Sequence, residues 1–158
     1  MKRILAADLS LSCPAFAVIK IEDGKPVVQA LYHVKTNAKK TLNYRLFEIY
    51  NLVVEILGDW EIDEIVMEKG FSRFPTATAQ LQRVVGVFLL ALYKNGFQNC
   101  GEIAPTSCKK YITGDGKASK DQLALALYTY VGDVKYANTD ESDSVGVGVA
   151  YAIKQGWL

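Results

Sequence analysis

Arg3-Ile4-Leu5-Ala6-Ala7-Asp8 is the stretch from which the rest of the chain unfolds as a reading. An apolar run this short, without helical spacing, describes a buried strand, and it finishes on a carboxylate. Residues 15–21 read as a second strand. Glu22-Asp23-Gly24-Lys25 then turns the chain back into a third, Val27–Val34, with Asp-Gly as the hairpin signal. The chain therefore opens as a three-stranded antiparallel unit.

Beyond it the period changes. Leu42, Leu46, Ile49, Val53, Ile56 and Leu57 recur at helical spacing over residues 41–57, and Gly58 is expected to end that helix. Glu64–Glu68 is a short buried strand. A loop, Lys69–Pro75, leads into a long helix over Thr76–Tyr93, closed by Asn95-Gly96. Gly101–Ala104 is a fifth strand, and Pro105 suits the first turn of a short helix. Helices follow over Ser119–Val131 and Asp140–Lys154, the last with Asn138 as N-cap and Glu141 as its capping partner. Antiparallel strands followed by alternating strands and helices give an α/β sheet flanked by helices, in one domain spanning residues 1–158.

Composition narrows the class. The 158 residues carry 18 basic and 17 acidic side chains, a net charge of +1, which neither demands nor excludes nucleic acid. Cys13, Cys100 and Cys108 have no ligand spacing, and His33 is the single histidine, which argues against zinc and for reduced thiols. The N-terminal apolar stretch is too short for a signal peptide, and no run reaches the roughly 18 residues that span a bilayer. The expectation is a soluble cytoplasmic protein with no membrane partner.

Four acids stand where folding alone explains them poorly. Asp8 and Glu68 each end an apolar strand, and Asp140 and Asp143 share one helical face at i, i+3. Buried carboxylates are unfavourable without a cation, and hard cations such as Mg²⁺ take oxygen ligands. The plain alternatives are turn or helix capping for the aspartates and an ion pair with Lys69 or Arg73 for Glu68. Behind the pair, Ser144-Val145-Gly146-Val147-Gly148-Val149-Ala150 carries two glycines, each disfavouring a helix by about 1 kcal/mol relative to Ala. Small residues there let the helix approach the sheet and bring Asp140 and Asp143 toward Asp8 and Glu68.

Thr113-Gly114-Asp115-Gly116-Lys117 precedes a helix start, with Lys109 and Lys110 upstream and Lys120 just beyond. Amides and ammonium groups together favour phosphate, although loop lysines also serve as solvated surface. Phe71 and Phe74 follow Glu68 closely; they either stack on bases or pack into the core. The apolar stripe on Thr76–Tyr93, broadened by Val87, Leu90 and Ala91, is wide enough for a partner surface as well as the sheet. His33 reads as a strand residue without a catalytic part.

These residues together resemble the RuvC-type Holliday-junction resolvases of the RNase H-like superfamily. The resemblance spans essentially the whole chain. It rests on Ile4–Ser10, Ile65-Val66-Met67-Glu68, the Ala104–Lys120 run and Asp140-Glu141-Ser142-Asp143-Ser144. It implies an RNase H-like fold with a mixed five-stranded sheet and an Mg²⁺-dependent endonuclease that nicks four-way DNA junctions in pairs. Asp8, Glu68, Asp140 and Asp143 would hold two ions, with Mn²⁺ as a substitute, and Lys120 would join them in catalysis. Lys69, Phe71, Arg73, Phe74, Lys109, Lys110 and Lys117 would contact DNA. The resemblance also implies a homodimer, and the compact chain is similar to versions that phages carry into a host cytoplasm. An RNA-processing nuclease of the same superfamily, an actin- or hexokinase-like nucleotide binder and a non-catalytic junction binder are the competing readings. The nucleotide binders are normally larger and two-lobed, with duplicated halves.

Overall fold

The computed structural model describes residues 1–70 and 73–158. Five strands form one sheet in the order β3-β2-β1-β4-β5. They are β1 (Lys2–Asp8), β2 (Ala15–Glu22), β3 (Lys25–His33), β4 (Glu64–Glu68) and β5 (Gly101–Ile103). β1, β2 and β3 pair antiparallel, whereas β4 joins β1 and β5 joins β4 in parallel. The hairpin joining β2 and β3 turns on Asp23 and Gly24, whose φ values are 51° and 70°. Two positive φ angles suit a two-residue turn whose twist matches the strands.

The helices are α1 (Leu42–Asp59), α2 (Pro75–Lys94), α3 (Pro105–Thr113), α4 (Lys120–Val131) and α5 (Thr139–Lys154). β1 is central and buried, and its alternation divides the core. Leu5 and Ala7 pack with Ile49, Val53, Val84 and Phe88 of α1 and α2. Ile4 and Ala6 pack on the other face with Val145, Val149 and Ile112 of α5 and α3. Since successive strand residues face opposite ways, Asp8 points with Ala6, toward α5.

Some boundaries differ from expectation. α1 runs through Gly58 and ends at Trp60, whose amide donates to the Ile56 carbonyl at 3.1 Å. Tertiary packing of Ile56 overrides the single glycine. α2 starts one residue earlier, with Pro75 in its first turn, where the missing N–H loses nothing. Ser119 and Gln122 form a full capping box on α4 that the sequence reading did not name.

Candidate metal centre and nucleic-acid face

Three elements deliver the acids. Asp8 ends β1, and Glu68 ends the adjacent parallel strand, one residue past the Ala7–Met67 pair. The Lys69 amide donates to the Ile103 carbonyl at 2.8 Å, which fixes the chain as it leaves Glu68. α5 supplies Asp140 and Asp143 from its first turns. Its depth is set by Gly148: a Cβ there would lie 2.5 Å from Ile19 Cδ1 and 3.0 Å from Ala6 Cβ. A Cβ on Gly146 would meet only Ile112 Cδ1, at 3.9 Å, an ordinary contact. Of the two glycines, only Gly148 is required for close approach to the sheet.

Carboxylate oxygens of Asp8, Asp140 and Asp143 all lie within 4.8 Å of one another. Glu68 stands outside that ring, yet its charge reaches it. Burial first, then the charges of Glu68, Asp143 and Asp140, push the Asp8 carboxyl from its ordinary 3.8 up to about 8, against an opposing pull from Lys120. Burial and then Asp143 raise Glu68, with Lys109 opposing. Burial raises Asp143 too, although it keeps an exposed face; Lys120 lowers it and Asp140 raises it.

Among the described residues no lysine or arginine forms an ion pair with these four acids, although Lys120 and Lys109 act on them from farther off. Among the described residues the ion pairs are Lys2–Glu64, Lys20–Glu22 and His33–Glu141. The ion pair between Glu68 and Lys69 or Arg73 is therefore not formed. Crowded, desolvated carboxylates without a counter-ion are what a hard divalent cation needs, and its charge would reverse the rise at Asp8. The donor set fits such an ion.

The lysines divide into two groups. Lys109 on α3 acts on Glu68, and Lys120 at the start of α4 acts on Asp8 and Asp143. Lys69, Arg73, Lys110 and Lys117 are exposed. The loop between α3 and α4 departs from the expected amide cradle. Thr113 Oγ1 accepts from the Asp115 amide at 3.0 Å, Asp115 Oδ1 from the Lys117 amide at 2.9 Å, and Gln122 Oε1 from the Ser119 amide at 2.8 Å. The Gly114 and Ala118 amides donate to the Lys110 and Asp115 carbonyls. Local side chains and carbonyls occupy these donors, which leaves phosphate contact there mainly to the ammonium groups.

Phe74 is 66% exposed at the N-cap of α2, so it is not a core residue. Phe71 lies outside the described residues. The capping expectation for α5 holds in one direction only. Asn138 Oδ1 accepts from the Glu141 amide at 2.9 Å, but the Glu141 carboxylate turns elsewhere. It accepts from the Ala137 amide at 2.8 Å and hydrogen-bonds His33 Nδ1 at 2.8 Å. The lone histidine thus ties the end of β3 to the helix that carries two of the acids, a contact the sequence did not reveal.

Comparison with known proteins agrees with this architecture. The family model described as "Crossover junction endodeoxyribonuclease RuvC" matches residues 4–151. A relative of that name from Paramagnetospirillum magneticum is 28% identical over 155 residues, covering 98% of this chain and 93% of the relative. Another, from Sphingopyxis alaskensis, is 30% identical over 150 residues, covering 94% and 96%. The T. thermophilus RuvC solved in complex with a Holliday junction substrate aligns with a TM-score of 0.91 at 18% identity, covering 98% of this chain and 95% of that one. The sheet order, the RNase H-like helix placement and a family match running from β1 to α5 together place this chain in the RuvC family of crossover junction endodeoxyribonucleases.

Proposed function

We propose that the protein resolves four-way DNA junctions by nicking two opposed strands. The observation that carries this is the ring formed by Asp8, Asp140 and Asp143. It is flanked by Glu68 and two lysines, on a chain whose curated relatives are named crossover junction endodeoxyribonucleases. Asp8, Glu68 and the Asp140–Asp143 pair would together hold the divalent cations. Two Mg²⁺ ions, with Mn²⁺ as a substitute, supply when bound the polarisation of the phosphate and the lowered pKa of an attacking water.

The side chains do the remaining work. Burial and its acidic neighbours raise the Asp8 carboxyl, so binding of a cation, which needs the carboxylate form, would strengthen as pH rises. Lys120, beside Asp8 and Asp143, holds an oxygen of the scissile phosphate and meets the charge that develops there. Lys109 does the same from the Glu68 side. Lys69, Arg73, Lys110 and Lys117 hold flanking phosphates around the rim. Phe74, exposed at the head of α2, and Phe71 stack on bases where the arms of the junction separate.

Paired nicks need two sites related by a two-fold axis, which a homodimer provides. Leu89, Leu90 and Tyr93 of α2 are 41%, 60% and 68% exposed. Their spacing puts Leu89 and Leu90 one turn from Tyr93 on an unburied face, and we assign self-association to that face. The test is incubation of the protein with a labelled four-way junction, a linear duplex and an RNA hairpin, with and without Mg²⁺. Metal-dependent paired cuts confined to the junction are expected, and absent in Asp8→Asn and Glu68→Gln. Preferential cutting of the RNA hairpin would transfer the assignment to RNA processing.

A further inference from the structure

The acid cluster opens on the α5 face of the sheet. On the opposite face, beside the same strand ends, lies a separate cleft of about 350 Å³. It sits between residues 9–12, α1 and α2, and Glu68, whose charge acts on Asp8, is also part of its lining. Its base is apolar: Leu9 and Leu11, each 7% exposed, belong to the α1–α2 core, and Leu81 packs against that core. Ser10, Ser12, Arg45 and Gln80 add polar side chains to its lining. An apolar floor with a few convergent polar groups is the make-up of a ligand site.

Arg45 is held in place rather than free. Its Nε donates to Thr36 Oγ1 at 3.0 Å, and Thr36, 8% exposed, donates in turn to the Leu11 carbonyl at 2.6 Å. This leaves the terminal guanidinium nitrogens for another partner. Among the described residues no carboxylate forms an ion pair with Arg45. A guanidinium fixed by one edge, in a cleft, presents a planar donor fork to whatever enters. Gln80 is exposed at the mouth and adds one donor and one acceptor.

The occupant must suit both the apolar side chains and the polar fork. A phosphate would use the guanidinium and leave the Leu9–Leu11–Leu81 surface bare. A nucleobase uses both: its face covers the apolar floor, and its edge meets Arg45 and Gln80. Arginine pairs in bidentate fashion with guanine and glutamine with adenine, so the pair favours a purine. We propose that this cleft receives a purine base from a nucleotide adjoining the scissile phosphate, turned out of its stack, and that Arg45 and Gln80 read its edge. The proposal rests on the junction-cutting assignment. Continuity through Glu68 places the base next to the phosphate being cut, and extrusion is easiest where pairing is already interrupted.

The test uses the full-length protein in two arms. In the first, 2-aminopurine is placed singly at each nucleotide near the cut site of a four-way junction and bound to the Asp8→Asn protein. Fluorescence should rise at one position, and adding Gln80→Ala should abolish the rise. In the second, junctions randomised around the exchange point are cut and the ends sequenced. The wild type should favour a purine at that position by roughly 10-fold, and Gln80→Ala or Arg45→Gln should bring the bias to about 2-fold or less. Gln80 is exposed, so its variant keeps the fold and decides the matter if Arg45→Gln, which loses the Thr36 bond, melts early. A wild type that cuts junctions with no base bias, or variants that retain it, would overturn the proposal. So would a uniform, salt-dependent weakening across all sequences in Arg45→Gln, which would mark a phosphate contact. A wild type that cuts no junction refutes the assignment of function instead, and the fluorescence arm still tests the cleft.

Discussion

Replacing Asp8 with asparagine should make the metal-free protein more stable, not less. The side chain keeps its shape and loses a charge that the fold disfavours. Burial and three neighbouring acids raise the Asp8 carboxyl to about 8 from an ordinary 3.8. The folded protein therefore binds this proton more tightly than the unfolded chain does. Stability from this group is fully present below the unfolded value, and is lost as pH rises from about 4 to about 8. At pH 7 the uncorrected loss is roughly three pKa units, ~4 kcal/mol. Asp8 is partly solvated and its neighbours titrate with it, so screening and coupling reduce the expected figure to about 2 kcal/mol. For a chain of this length that is a rise of about 4–8 °C in melting temperature. Denaturation in EDTA from pH 4 to 9 should show wild type and Asp8→Asn converging near pH 4 and diverging toward pH 8. Mg²⁺ should stabilise the wild type increasingly as pH rises and the variant far less. Parallel pH profiles with equal stability at pH 7 would refute the electrostatic reasoning.

The glycines of α5 should respond with opposite signs. Gly148→Ala forces a methyl against Ala6 and should destabilise by about 1–2 kcal/mol in denaturant melts, net of a helix-propensity gain; Gly146→Ala should be neutral or gain up to ~1 kcal/mol. Lys109→Ala and Lys120→Ala should slow junction cleavage by about 10-fold or more, and any loss of binding should shrink as salt rises. Normal cutting by both at low and moderate salt would make those lysines bystanders. Leu90→Glu should keep the thermal stability of the wild type while light scattering reports a monomer and a cruciform plasmid is nicked singly or not at all. A wild type that stays monomeric at micromolar concentration with junction DNA present would remove α2 as a dimer face.

The strands and helices were legible because each leaves a local period or stop signal. The Ile4–Asp8 run, the Asp23-Gly24 turn and the helical spacing of α1 state their conformations within a few residues. The acids were legible for a related reason: a carboxylate at the end of an apolar strand has few structural explanations. Small shifts at helix ends followed where tertiary packing outweighed one residue, as at Gly58. The lysine-rich loop misled because a glycine pattern reports backbone freedom. It does not report whether Thr113, Asp115 and Gln122 will occupy the amides themselves.

What the sequence determined by itself was therefore the set of elements and four candidate acids. The tertiary structure decided which of them meet. It put Asp8, Asp140 and Asp143 within 4.8 Å and left Glu68 at the margin. It joined His33 to Glu141 across 108 residues. It also brought Arg45, Leu9, Leu11 and Glu68 to one cleft. These contacts depend on strand register and on how deeply α5 seats against the sheet at Gly148. Both are set by packing between segments distant in the chain, and no local spacing carries that information.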